Sequence, residues 1–135
     1  MIVRHGASGP GVVHLDTNFL IRALDVGSEE EILLATWLDV LRPLMVSSAA
    51  WAEFLCGPVS PAAVQVASEV VGRPLPFGAT EAVIAADCFN ASGRRRGTMV
   101  DCMIAATAMA AGAALATANV DDFRRLVPLG LRLAT

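Results

Sequence analysis

A buried strand that ends in an acid is encoded by Val12-Val13-His14-Leu15-Asp16, and Thr17-Asn18 follow it directly. A short apolar run rich in β-branched residues predicts a strand that is covered on both faces. Burying a carboxylate is costly unless it is hydrogen-bonded, paired with a cation or bound to a metal. Asp16 therefore indicates a functional acid. The simpler interpretation is that Asp16 only neighbours a helix cap formed by Thr17 or Asn18.

Three further polar islands stand in apolar surroundings: Glu53 within Ala49–Leu55, Asp101 before Cys102-Met103-Ile104, and the segment Thr117–Phe123 with Asn119 and Asp122. Each island also has a purely structural interpretation. Glu53 could simply face solvent on a helix. Thr98-x-x-Asp101 and Asn119-x-x-Asp122 resemble helix-capping patterns. Several acids at the ends of core elements nevertheless favour a pocket for a hard cation such as Mg2+ or Mn2+.

The hydrophobic pattern predicts an α/β fold, with a mainly parallel central sheet of four to five strands flanked by helices. The predicted strands span 12–16, 44–47, 74–77, 113–117 and 129–133, and the predicted helices span 18–25, 28–41, 48–56, 60–71, 80–92, 98–111 and 119–126. Residues 1–11 are expected to be a flexible N-terminal segment, and residues 12–135 a single domain. Sites in such folds form beyond the carboxyl ends of the strands, where all four islands are expected.

Composition narrows the functional classes. The chain has 135 residues, is 55% hydrophobic and 17% charged, which excludes disorder. All ten basic residues are Arg, so enzymes that depend on a P-loop or Schiff-base Lys are excluded. A net charge of −3 argues against nucleic-acid binding by the molecule as a whole. No apolar run is long enough for a membrane helix, and Cys56, Cys88 and Cys102 are expected to be buried free thiols in a reducing cytoplasm.

Four stretches, in order and spacing, resemble the PIN-domain family, and within it the VapC-type toxins of toxin–antitoxin pairs. They are His14-Leu-Asp-Thr-Asn-Phe-Leu-Ile21, Ser47-Ser-Ala-Ala-Trp-Ala-Glu53, Asp101-Cys-Met-Ile-Ala-Ala-Thr-Ala108 and Leu115-Ala-Thr-Ala-Asn-Val-Asp-Asp-Phe-Arg-Arg125. The resemblance implies a PIN-like domain with metal-dependent endoribonuclease activity, using Mg2+ or Mn2+ and hydrolysing phosphodiester bonds of the tRNA or rRNA class.

The resemblance also assigns candidate roles. Asp16, Glu53, Asp101 and Asp122 are the catalytic candidates, and Asp16, Asp101, Asn119 and Asp122 the metal ligands, with Asn119 and Asp122 sharing the fourth position. Glu53 would position or deprotonate the attacking water. Thr17, Asn18 and Thr117 would support the ligands. Arg94, Arg95 and Arg96 could contact RNA, although a charge run is more often simply a solvated loop.

The partners implied are a VapB-like antitoxin protein, the RNA substrate and a second copy of the chain, in the cytoplasm and without membrane attachment. A groove for the antitoxin could be supplied by Ile32, Leu33, Trp37, Val64, Val66 and Val70, which could equally be core residues. The alternative function is a catalytically degraded PIN-fold module that binds RNA or protein, which Asn119 favours. A Mg2+-dependent phosphatase would need an acid at position 18 and a Lys, and the chain has neither.

Overall fold

A computed structural model describes residues 9–134 as a three-layer α/β domain. The strands are β1 (Val13–Leu15), β2 (Leu44–Met45), β3 (Ala114–Ala116) and β4 (Arg132–Leu133). The helices are α1 (Thr17–Ala23), α2 (Glu29–Asp39), α3 (Ser48–Cys56), α4 (Pro61–Val71), α5 (Ala79–Ala91), α6 (Met99–Ala110) and α7 (Val120–Arg124), followed by a 3-10 helix (Val127–Leu129).

The four strands form one parallel sheet in the order β2-β1-β3-β4, as the alternation of strands and helices predicted. Val13 is in register with Leu44 on one side and with Ala114 on the other. Ala114 is in turn in register with Arg132. Since all strands run the same way, the segments that follow β1, β2 and β3 leave the sheet at a single edge. This edge carries the predicted site.

The core lies between the sheet and its helices. β1 and β3 are buried along their whole length, as expected for central parallel strands. Helix α6 is the main internal helix and packs against α5. Its small residues Ala105, Ala106 and Ala108 are fully buried and form part of the core. Because Ala side chains are short, neighbouring elements can approach α6 closely.

Serine side chains begin three of the helices. The hydroxyl oxygens of Ser28, Ser47 and Ser60 accept from the backbone N–H groups of Glu31, Ala50 and Ala63 respectively. Each bond satisfies a helix-end donor that would otherwise lack a partner. Two of the predicted helices begin at Ser28 and Ser60, and both helix starts are confirmed. A third was predicted to begin with Ser48 as its cap, but Ser47 takes the capping position.

The predicted strand at 74–77 is wrong. Leu75 forms only an isolated bridge to Ser47, through the Leu75 N–H to Val46 O bond of 2.9 Å and the Ser48 N–H to Leu75 O bond of 2.8 Å. Pro74 and Pro76 have no N–H to donate, so the pairing cannot extend. The last predicted strand is likewise shorter than expected, because residues 127–129 form the 3-10 helix.

Helix α2 buries a narrower stripe than its pattern predicted. Leu34 and Trp37 are buried, and the Trp37 ring stacks on Phe19 at 5.6 Å between centroids. The sequence pattern predicts an inward face made of Ile32, Leu33, Thr36, Trp37 and Val40. This prediction is wrong for Ile32, Thr36 and Val40, which are exposed. The helix packs against α1.

Other predictions have mixed outcomes. The prediction of buried free thiols is confirmed for Cys88 and Cys102. It is wrong for Cys56, which is a free thiol but is exposed. The predicted flexible segment falls largely on residues 1–8, which lie outside the described residues, while Gly9 N–H donates to Ala111 O at 2.8 Å. Within residues 9–134, no helix is both long and apolar enough to cross a bilayer.

Candidate active site

Asp16 follows β1 directly and caps α1. Its side chain is buried, with 3% of the residue exposed. Oδ1 accepts from the backbone N–H of Thr17 at 2.8 Å, and Oδ2 accepts from the hydroxyl of Thr117 at 2.8 Å. Burial raises the pKa of Asp16, the two hydrogen bonds lower it, and nearby Glu53 and Asp122 raise it further. Asp16 is thus held at a fixed place by partners that follow both central strands.

Glu53 is exposed on α3 and reaches back towards the start of α1. The hydroxyl of Thr17 lies 3.1 Å from Glu53 Oε1 and 3.0 Å from the carbonyl oxygen of Ala50. A hydroxyl has one proton, so the two acceptors share it. The Thr17 side chain therefore links Glu53 to the same helix end that holds Asp16.

Asp101 lies in the first turn of α6 and is partly buried. Burial first, and then the charges of Asp16, Asp122 and Glu53, raise the pKa of Asp101 from 3.8 to about 6, while Arg125 opposes the rise. The capping-box interpretation is wrong. The Thr98 side chain does not cap α6 and instead donates to the carbonyl oxygen of Arg95 at 2.7 Å.

The fourth position is divided between two residues. The side chain of Asn119 does not cap α7, and its backbone N–H donates to the Thr117 hydroxyl at 3.0 Å. Asp122 is exposed, but its charge acts on both Asp16 and Asp101. Electrostatic contact with the other acids is therefore made by Asp122.

These placements bring four carboxylates together from four separate segments: the end of β1, α3, the start of α6 and α7. Thr17 and Thr117 touch the acids as predicted, whereas Asn18 lies exposed in the first turn of α1. The grouping agrees with the expectation that the islands meet at the carboxyl edge of the sheet.

Sequence reasoning missed Arg125. Its Nη1 donates to the backbone carbonyl of Asp122, and its charge acts on Asp101 and Cys102. Arg125 stands three residues after Asp122, a spacing that places the two on one face of a helix. That spacing is the signal that the sequence offers for Arg125.

The acids suit a divalent cation chemically. Carboxylate oxygens are the ligands that hard cations prefer, and the raised pKa of Asp101 reflects repulsion that a cation would relieve. Within residues 9–134, no three His, Cys, Asp or Glu side chains are already drawn together as a metal cage. Metal binding would therefore have to pull the carboxylates closer to one another.

The Arg94–Arg96 loop joins α5 to α6 and is exposed. The guanidinium of Arg94 lies over the Phe89 ring, 5.5 Å from its centroid, and donates to the side-chain oxygen of Asn90. Arg95 and Arg96 stand exposed just before the helix that carries Asp101. The RNA-contact role of the loop stays a prediction.

Two grooves lie along α3. One of about 400 Å³ adjoins Glu53 and is lined by Ala49, Ala52, Glu53, Cys56, Val100 and Met103. Another of about 750 Å³ is lined by Met45, Ser48, Trp51, Ala52, Leu55, Arg73, Pro74, Leu75 and Pro76. Of the residues suggested for an antitoxin groove, Trp37 is buried, Ile32 and Val66 are exposed, and Leu33, Val64 and Val70 are half-buried.

The fold is a parallel α/β domain in which Asp16 follows one central strand and Thr117, bonded to it, follows the other. The chain belongs to the PIN domain family, whose model matches residues 13–127. No curated protein sequence matches the chain.

Solved structures share the fold. A chain of VapBC2 from Rickettsia felis, bound to a promoter DNA fragment, superposes with a TM-score of 0.73 at 20% identity, covering 91% of this chain and 97% of that one. FitAcB from Neisseria gonorrhoeae superposes with a TM-score of 0.69 at 22% identity, covering 91% of this chain and 96% of that one. DNA-bound VapBC from Salmonella typhimurium superposes with a TM-score of 0.69 at 23% identity, covering 90% of this chain and 96% of that one.

Proposed function

We propose that the chain is a metal-dependent endoribonuclease toxin of the VapC type, hydrolysing RNA of the tRNA or rRNA class and neutralised by a VapB-like antitoxin. The observation that carries the proposal is the meeting of Asp16, Glu53, Asp101 and Asp122 in one electrostatically coupled group. Repelling carboxylates are costly to a fold, so their grouping favours a cation-binding role.

Mg2+ or Mn2+ would be held by Asp16, Asp101 and Asp122, with the side-chain oxygen of Asn119 as the alternative fourth ligand. When bound, such an ion supplies charge stabilisation at the phosphate and makes water a better nucleophile. Asp16 suits the principal ligand position, because two hydrogen bonds hold its carboxylate still. Asp101, whose pKa is about 6, is mostly ionised at neutral pH.

Glu53 is suited to act on the attacking water. Its Oε1 is fixed by the Thr17 hydroxyl, and within the described part of the chain no hydrogen bond restrains Oε2. The exposed carboxylate can therefore accept a proton from water and release it to solvent. Asn18 would help to orient the water or the RNA, since it is exposed beside Asp16 and Thr17.

The partner proposal rests on likeness of fold. The solved chains from Rickettsia felis and Salmonella typhimurium belong to VapBC structures. In this chain, the exposed side chains of Ile32 and Val66, with half-buried Leu33, Val64 and Val70, offer apolar area for an antitoxin segment. The proposal also includes that two copies of the chain form a homodimer and that the protein acts in the cytoplasm.

The alternative is a PIN-fold module that binds RNA or protein without cleaving it. The neutral side chain at Asn119 favours it, because one charge fewer weakens a second metal. Four coupled carboxylates favour the nuclease.

The test is cleavage of total RNA and of a tRNA pool by the folded, antitoxin-free protein, with Mg2+, with Mn2+ and with EDTA. We expect discrete metal-dependent fragments, lost in Asp16→Asn and kept in Asp121→Asn. Asp121 is the matched control, because it is an exposed acid of α7 paired with Arg124. Fragments that persist in Asp16→Asn would show a contaminating nuclease. Metal binding by calorimetry without cleavage would favour the binding module.

A further inference from the structure

Arg125 occupies an unusual environment for a surface-helix arginine. Its Nε and Nη2 atoms are buried and have no hydrogen-bond partner among the described residues. Only Nη1 is engaged, with the backbone carbonyl of Asp122. A guanidinium is always charged, and leaving its N–H groups buried without partners is costly. Something nearby must therefore compensate the charge.

The compensation is the field of the acid cluster. Neither of the ion pairs within the described residues involves Arg125, since they join Arg22 to Glu30 and Arg124 to Asp121. Its charge instead acts on Asp101 through space and opposes the combined effect of Asp16, Glu53 and Asp122 there. Charges in a partly buried site interact more strongly than charges in water.

We propose that Arg125 is the built-in counter-charge of the acid cluster: it offsets the mutual repulsion of the four carboxylates while no metal is bound, and the metal takes over that role. Arg125 is a positioning residue, since it contacts the backbone beside Asp122 and no reacting atom. The inference rests on the proposed function to the extent that it requires a divalent cation at these acids.

The test compares thermal unfolding midpoints in EDTA and in saturating Mn2+ for the wild type, Arg125→Met, Arg125→Lys and the control Arg124→Met. In EDTA we expect Arg125→Met to lower the midpoint by about 5–10 °C, because four acids then lack a cation. In Mn2+ the loss should shrink to half or less, since a bound metal stabilises the folded state.

The two other variants separate charge from shape. Lys keeps the charge and loses the planar fork, so Arg125→Lys should retain most of the EDTA stability. Arg124→Met removes an exposed charge and should shift the midpoint by no more than about 2 °C in either condition. A loss in Arg125→Met that is equal with and without Mn2+ would make Arg125 a merely structural residue and overturn the inference.

A second measurement needs no metal. In EDTA, Asp101→Asn should raise the midpoint more in the Arg125→Met background than in the wild type, because only the wild type also loses the attraction between Arg125 and Asp101. An equal gain in the two backgrounds would overturn the counter-charge role. If Arg125→Met alone does not fold, the cycle is closed with Arg125→Gln, which also removes the charge and keeps a polar side chain. A wild type that Mn2+ does not stabilise would overturn the metal site of the proposed function. Failure of the variant cycle in EDTA would overturn only the counter-charge role of Arg125, so the two failures are distinguishable.

Discussion

Asp16 is buried with no cationic partner among the described residues, and both oxygens of its carboxylate accept hydrogen bonds instead. One comes from the backbone of the next residue, and the other from Thr117, which follows β3. Such partners fix the direction of a metal-binding carboxylate as much as they stabilise its charge. The Thr117 hydroxyl also accepts from the Asn119 N–H, so it joins Asp16 to the loop of the fourth position.

At this scale we predict the effect of Thr117→Val, which keeps the shape and removes the hydroxyl. Mn2+ affinity and RNA cleavage should fall by about 10- to 100-fold, because Asp16 loses a partner that orients it. The control is Thr107→Val, which removes a buried hydroxyl bonded to Met103 O at 2.9 Å within α6. Calorimetry and a cleavage assay check both. Equal losses in the two variants would show that general destabilisation is responsible.

Among the structural elements, the short loop before α6 matters most for the proposed contact with RNA. Residues Gly93–Gly97 turn through three positive φ angles, at Gly93, Arg94 and Gly97, and so present three arginines next to the helix of Asp101. In a chain with net charge −3, a local cluster of this kind is the way to attract phosphates. Arg is also well shaped for two-point contact with phosphate.

We therefore predict that changing Arg94, Arg95 and Arg96 together to Ala weakens RNA binding. The slope of log affinity against log salt should decrease by about 0.7 for each phosphate of single-stranded RNA that the variant no longer neutralises. The measurement is fluorescence anisotropy across a salt series with Asp16→Asn protein, which should not cut the probe. Arg132→Ala is the control, because Arg132 begins β4 at the opposite edge of the sheet. An unchanged slope in the triple variant would remove the loop from the RNA site.

For the whole molecule, gathering four acids has a thermodynamic cost that depends on pH. The folded-state pKa of Asp101, about 6, lies above its ordinary value of 3.8. Folding therefore favours the protonated form, and the stability that this group contributes is full below pH 3.8 and is lost as pH rises through about 6. The metal-free protein thus carries a penalty at neutral pH.

Asp101→Asn should remove that penalty. In EDTA near neutral pH the variant should melt about 2–5 °C above the wild type, allowing for solvent screening of a partly exposed group. At about pH 4 or below the two midpoints should converge, since the wild-type carboxyl is then protonated too. Differential scanning calorimetry across this range is the measurement, with Asp121→Asn as the exposed-acid control. A variant less stable than the wild type at neutral pH would contradict the repulsion.

Several local features followed from the sequence with little ambiguity. The helix starts at Ser28 and Ser60 were confirmed, because a helix cap depends only on its own next few residues. The sequence-based predictions were wrong where contacts with another element decide burial or strand pairing. The inward face of α2 was set by contact with α1, which left Ile32 and Val40 exposed. Pro74 and Pro76 reduced a predicted strand to one bridge.

The sequence by itself determined the alternation of strands with helices and the parallel sheet, which depend on periodicity. Its resemblance to the PIN-domain family singled out Asp16, Glu53 and Asp101. Only the tertiary structure decided that Asp122 interacts with the other acids, that the pKa of Asp101 rises to about 6, and that the charge of Arg125 acts on Asp101. Such properties depend on distances between remote residues: the bond that holds Asp16 to Thr117 spans 101 positions of the chain.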